Sequence, residues 1–118
     1  LLLSLAPVTW ATRRVHALHA QPCRVGSGFA VLENGSQLQT AVMLLEPGEA
    51  SGPLANEHPQ SEQVLVVVEG TVEAEIGNNR FTMKSGDSAI VPRDEPHRFT
   101  NRSSERAVTF NVYAPKAY

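Results

Sequence analysis

The chain has 118 residues, 42% of them apolar and 19% charged, which predicts one compact domain with its own core and not a multidomain enzyme. Ten Lys and Arg against twelve Asp and Glu give a formal net charge of −2, so no overall positive field exists to gather nucleic acid or anionic lipid. Neither nucleic acid nor membrane is expected as a partner.

Leu1, Leu2, Leu3, Ser4, Leu5 and Ala6 open the chain as an apolar run, far shorter than the roughly 20 residues that cross a bilayer. No transmembrane helix is expected there. Residues 1–20 read instead as an arm and first strand that pack on the domain or on a second subunit, with the barrel domain at 21–118. Such an arm supports a homodimer. The single cysteine, Cys23, cannot form an intrachain disulfide, which fits a reducing, cytoplasmic setting and the role of a small buried hydrophobe.

Apolar runs of four to eight residues then recur between clusters of Gly, Pro, Asn and Asp, and no long stretch carries a helical period. The fold class is all-β. Strands are predicted at Trp10–Leu18, Gly28–Leu32, Leu38–Glu46, Gln63–Glu69, Thr71–Ile76, Arg80–Met83, Ser88–Val91, Pro96–Thr100 and Ala107–Tyr113. Val64 to Val68 is apolar throughout and reads as a central strand covered on both sides, as expected in a sandwich or barrel that also dimerises. In Thr71–Ile76 apolar and polar residues alternate, so one face is buried and the other wet. Gly77, Asn78 and Asn79 tolerate positive φ and predict a tight hairpin between Ile76 and Phe81.

Charge is segregated along the chain. Residues 25–79 hold eight acids and no Lys or Arg, while residues 80–118 hold seven bases and four acids. These segments either pair across strands or stay as solvated surface.

Two segments carry candidate chemistry: Asn56 to Gln63 with Glu69 and Gly70 beyond it, and Gly86 to Asn101. In the second, Gly86, Pro92, His97 and Asn101 match the pattern Gly-x5-Pro-x-Gly-x2-His-x3-Asn, with Asp94 in place of the inner Gly. Asp is among the residues that tolerate the left-handed turn such a Gly supplies. In the first, Gly70, Gln63, His58 and Asn56 fall on the spacing His-x-His-x4-Glu-x6-Gly, with Asn for the first His and Gln for Glu. A rival register takes Gly52 and His58 as the motif's Gly and first His, but it places Gln60 as the second His and an apolar residue at the Glu position.

These motifs resemble those of the cupin superfamily, in particular its small single-domain conserved-barrel members (cupin_2-like). The resemblance implies a single antiparallel β-barrel, a double-stranded β-helix of jelly-roll kind, with a pocket between the motifs. It implies metal ligands at Asn56, His58, Gln63 and His97. Replacing Glu by Gln and His by Asn removes the anionic ligand and one good nitrogen donor, so a weakened site for one divalent transition metal (Fe, Mn, Ni or Zn) stands beside a metal-free pocket in which the same side chains bond one another and water.

Phe99, on the strand face of His97, and Met43 and Phe110, on neighbouring strands, are the expected apolar wall, with Leu45 and Val112 alongside them. Arg93 and Arg98 are expected at the pocket mouth, and His16 and His19 on the surface. Glu57 and Glu62 are one step out of phase with the ligand positions, so a regular strand points them away.

The fold does not select a function. One expectation is a protein that binds a small molecule in the barrel pocket; the alternative is a metal-dependent enzyme of dioxygenase or isomerase type acting on a small organic substrate. A third class, an accessory such as a polyketide cyclase, resembles some small cupins but has no residue of its own here.

Overall fold

The computed structural model describes residues 28–118. The expected arm at 1–20, the strand Trp10–Leu18, Cys23, His16 and His19 lie outside the described residues. Within them the chain forms eight strands and no helix: β1 (Gly28–Asn34), β2 (Gln39–Leu45), β3 (Glu62–Glu69), β4 (Thr71–Ile76), β5 (Asn79–Lys84), β6 (Ser88–Val91), β7 (His97–Thr100) and β8 (Ala107–Ala114). No helix among the described residues is long and apolar enough to cross a membrane.

The strands build two antiparallel sheets, a five-stranded one in the order β1-β2-β8-β3-β6 and a three-stranded one in the order β5-β4-β7. The last strand thus lies between β2 and β3, which closes the chain into a double-stranded β-helix of jelly-roll kind. Alternation decides the inner faces. Met43 and Leu45, Leu65 and Val67, Val72, Ala74 and Ile76, together with Met83, Val91 and Phe99, form one buried cluster between the sheets. Full burial of a Val, Leu, Met or Phe side chain of this kind stabilises the fold by about 1.5–3 kcal/mol.

Turn chemistry positions the strands. Ile76 pairs with Asn79, so the hairpin is a two-residue Gly77-Asn78 turn with Gly77 at φ 58°. Where the chain passes from β3 to β4, Gly70 has φ 84°, and a Cβ there would sit 2.5 Å from the Arg106 carbonyl oxygen. Asp94 takes the left-handed turn expected of it, at φ 64°.

One expectation is qualified and one corrected. β3 is an interior strand, and on its outer face Val64 and Val68 are 38% and 45% exposed in the single chain, so the described residues do not by themselves supply the cover expected there. A continuous apolar run cannot itself distinguish a strand buried on both faces from one that carries an apolar outer face. On β8 the inward set is Ala107, Thr109, Asn111 and Tyr113, so Phe110 and Val112 point outward; Phe110 packs on Val42, Leu44 and Val108. Both faces of β8 are rich in β-branched and aromatic residues, and the inner face contains the polar Thr109 and Asn111. Hydrophobicity alone therefore selects the wrong face.

The segregated charges pair. Arg80 and Arg102 reach Glu73, Arg98 reaches Glu75 and Arg106 reaches Glu69, each joining a base of residues 80–118 to an acid of residues 25–79. Arg98 is thereby held against Glu75 of β4 and not at a pocket mouth.

Candidate functional site

Between the sheets, below the loop that precedes β3, lies a cavity of about 40 Å³. His97, the first residue of β7, enters it because its backbone is pinned on two sides, by pairing with Ile76 of β4 and by its N-H donating to the Ala55 carbonyl at 3.1 Å. His58 comes from the loop, in a turn closed by the Ser61 N-H on its carbonyl at 3.0 Å. The two imidazole rings lie with centroids 4.6 Å apart and planes tilted by 48°, and Tyr113 stands edge-on to His58 at 5.0 Å. Gln63 of β3 pairs with Tyr113 of β8 and brings its amide to the same floor.

The polar side chains of the floor are bonded to one another. Gln63 Oε1 lies 3.0 Å from His58 Nε2, and Gln63 Nε2 donates to Asn111 Oδ1 at 2.9 Å. Asn111, fully buried on β8, donates to Thr109 Oγ1 at 3.1 Å and to the Ala41 carbonyl at 3.4 Å. His97 Nδ1 is 2.9 Å from the Glu95 carbonyl oxygen, which leaves its Nε2 on the cavity side. Burial lowers the His97 pKa from its ordinary value and outweighs the Glu95 hydrogen bond, which acts in the opposite direction. Burial likewise pushes the Tyr113 phenol well up, with the neighbouring Tyr118 adding to the effect.

Of the residues expected at the pocket, the structure brings together His58, Gln63, His97, Phe99 and Met43. His58 and Gln63 meet at the floor, whereas Gln60, the rival second His position, is exposed. Asn56 and Phe110 lie elsewhere. Residues 56–58 are not a strand, so the expected two-residue alternation fails there, and Asn56 turns outward to donate to Asp94 Oδ1 at 2.6 Å. The same irregularity brings Glu57 to the cavity, which a regular strand would have pointed away.

Sequence reasoning missed Tyr113 and Asn111, whose places follow from the inward parity of β8, and Phe29, Ser51 and Tyr118, which no motif marks. The parity could have been found by noting that Tyr113 and Asn111 share a face with Ala107. Roomier depressions exist, such as one of about 510 Å³ beside Phe81 and Ile90, but they are open surface without convergent imidazoles. The smaller cavity holds the chemistry.

The divalent metal implied by the motif resemblance does not fit these residues. Asn56 is occupied by Asp94, both ends of the Gln63 amide are engaged, and no three His, Cys, Asp or Glu side chains among the described residues are placed to hold an ion.

Residues 41–113 match the cupin domain family Cupin_2. The chain belongs to this family. Among known proteins, this cupin is 33% identical over 64 residues to "Polyketide synthase CurC" of Streptomyces cyaneus, a match covering 54% of this chain and 40% of that protein. The chain thus spans less than half the length of the curated relatives it matches. A solved sugar phosphate isomerase of the cupin superfamily from Silicibacter pomeroyi is 28% identical, with TM-score 0.63 over 74% of this chain and 59% of that one. A structure from Bacillus halodurans, 20% identical, superposes with TM-score 0.72 over 95% of this chain and 80% of the other, and shows the shared fold.

Proposed function

We propose that this cupin binds a small, uncharged organic molecule bearing hydroxyl or carbonyl oxygens, of polyketide type, at the floor formed by His58, His97 and Gln63. The observation that carries this reading is the lining itself. Imidazole, phenol and phenyl rings converge on a few polar atoms, the arrangement by which pockets hold and orient small organic ligands. The similarity to a protein named as a polyketide synthase supports the ligand class.

A sugar phosphate is the competing class, by similarity to the isomerase. It needs cationic partners, and no Lys or Arg lines the cavity, whereas the carboxylate of Glu57 does. Arg80, Arg98, Arg102 and Arg106 are paired with Glu69, Glu73 and Glu75, away from the cavity lining. Charge complementarity therefore favours the neutral ligand.

The cavity volume of about 40 Å³ has room for water but not for a ring, so binding requires displacement of Tyr118 and Phe29, which are 55% and 41% exposed. A second reading, an enzyme that moves a proton on that ligand, is favoured by His97, whose Nε2 faces the cavity while Nδ1 is held by Glu95.

The test is thermal unfolding with increasing orcinol, a 1,3-dihydroxy aromatic, and with glucose 6-phosphate. Saturation at about 100 times Kd should stabilise by about 2.7 kcal/mol. Stabilisation by orcinol alone supports the reading; stabilisation by the sugar phosphate alone overturns it.

A further inference from the structure

Behind the cavity floor, three polar side chains run back into the five-stranded sheet without reaching solvent. The Ala41 carbonyl can only accept a hydrogen bond, so the end of Asn111 that lies 3.4 Å from it is the Nδ2 amide. Asn111 Oδ1 then faces Gln63 Nε2 at 2.9 Å, and Gln63 Oε1 faces His58 Nε2 at 3.0 Å. An amide oxygen at that position requires a hydrogen on the imidazole nitrogen. Reversing Gln63 would press its Oε1 against Asn111 Oδ1, two acceptors in contact; reversing both amides would press Asn111 Oδ1 against the Ala41 carbonyl. One arrangement satisfies every group, and no buried side-chain nitrogen or oxygen among the described residues is left without a partner.

We propose that the relay from Ala41 through Asn111 and Gln63 locks His58 in the Nε2-H form, so that the barrel offers two imidazole lone pairs, on His58 Nδ1 and His97 Nε2, to hydroxyl groups of a ligand. His97 is fixed in the complementary form, because the Glu95 carbonyl 2.9 Å from its Nδ1 must also receive a hydrogen. Neither lone-pair nitrogen has a hydrogen-bond partner among the described residues, and both side chains line the cavity. Rings 4.6 Å apart suit a ligand with two hydroxyls on nearby carbons. Gln63 and Asn111 are positioning residues here: they act through His58 and set which of its nitrogens can accept. The ligand half of the inference rests on the binding reading above; the lock on His58 does not.

Long-range proton-nitrogen correlation spectra of the imidazole rings report which nitrogen carries the hydrogen. Wild-type protein is expected to show His58 as Nε2-H and His97 as Nδ1-H. Gln63→Met, close in shape but without the acceptor, should shift His58 to a mixture of forms, and Gln63→Glu, which keeps an acceptor there, should restore Nε2-H when the protein is held metal-free with chelator. His58 found as Nδ1-H in the wild type overturns the relay whether or not the variants fold, and an unchanged form in Gln63→Met overturns the lock.

The ligand half is read by calorimetry with orcinol and its dimethyl ether, which cannot donate. The ether should bind at least about tenfold more weakly, the cost of about one lost hydrogen bond. Equal binding of the two overturns that half. Absence of binding by both, with His58 still Nε2-H, sinks the binding reading and leaves the lock standing.

Discussion

Gln39 grips the backbone of Tyr118 with both ends of its side chain, Nε2 donating to the Tyr118 carbonyl at 2.6 Å and Oε1 accepting from the Tyr118 N-H at 2.8 Å. Gln39 itself is buried at the start of β2, so the grip is anchored in the sheet. Its effect is to place the Tyr118 ring 4.9 Å from Phe29 and 5.2 Å from Tyr113, over the cavity that His58 and His97 line. A side chain remote from both motifs thus sets the size of the mouth.

Tyr118→Ala should therefore widen the pocket at little cost to the fold, about 1 kcal/mol or less, because more than half of the residue is exposed. Gln39→Leu should cost more, about 1–3 kcal/mol, since the backbone groups it served lose their partner. Both variants should shift binding from one-ring toward two-ring phenols, measured as a ratio of dissociation constants by calorimetry. An unchanged ratio in both would show that Tyr118 does not limit the mouth.

Much of this arrangement is legible without coordinates. The strands from Gly28 onward follow from alternation and from turn residues, and His58, Gln63 and His97 follow from motif spacing. The places of Asn56 and Glu57 do not follow, because period-two reasoning assumes a strand and this loop is irregular. The outward place of Phe110 does not follow for a different reason: both faces of β8 are good strand surfaces, and the buried one holds Thr109 and Asn111. The Ala41 relay depends on the register of β2 against β8, a long-range pairing that local patterns do not encode.

Gln63→Glu tests the charge argument at the floor. A carboxylate beside His58 and His97 supplies the anionic donor that the present set lacks, so retention of zinc or manganese after desalting should rise from substoichiometric toward one ion per chain. Without metal the variant should be less stable by about 1–3 kcal/mol, since a carboxylate cannot donate to Asn111 Oδ1 as the Gln63 amide does. Elemental analysis and unfolding with and without chelator read both effects. Equal, near-stoichiometric metal in wild type and variant would contradict the poor fit argued for the native residues.

Gly70 and Asp94 both hold positive φ, yet their substitutions should behave in opposite ways. Gly70→Ala adds a Cβ 2.5 Å from the Arg106 carbonyl oxygen at φ 84°, and should cost about 2 kcal/mol or more. Asp94→Gly removes the left-handed strain of a side-chain-bearing residue at φ 64° but also the acceptor for Asn56, so the two changes should nearly cancel, to within about 1 kcal/mol. Denaturant midpoints distinguish them. A Gly70→Ala protein as stable as wild type would mean that the crossing from β3 to β4 relaxes freely.

On the three-stranded sheet, Glu73 is held between Arg80, at 2.9 Å, and Arg102. Hydrogen bonds from Arg80 and then Arg102 lower its carboxyl from about 4.5 to about 2. The native pKa is the lower one, so the unfolded chain binds more protons between these values, and stability from this group is present above about pH 4.5 and lost as pH falls toward about 2. The side chain is 24% exposed and its arginine partners more so, which lets salt screen the pair. Glu73→Gln should lower Tm at pH 7, and the gap to wild type should close as the pH approaches 2. It should also narrow between about 0.01 M and about 1 M salt, over which the screening length falls from about 30 to about 3 Å. A gap constant across both series would assign the loss to packing and not to charge.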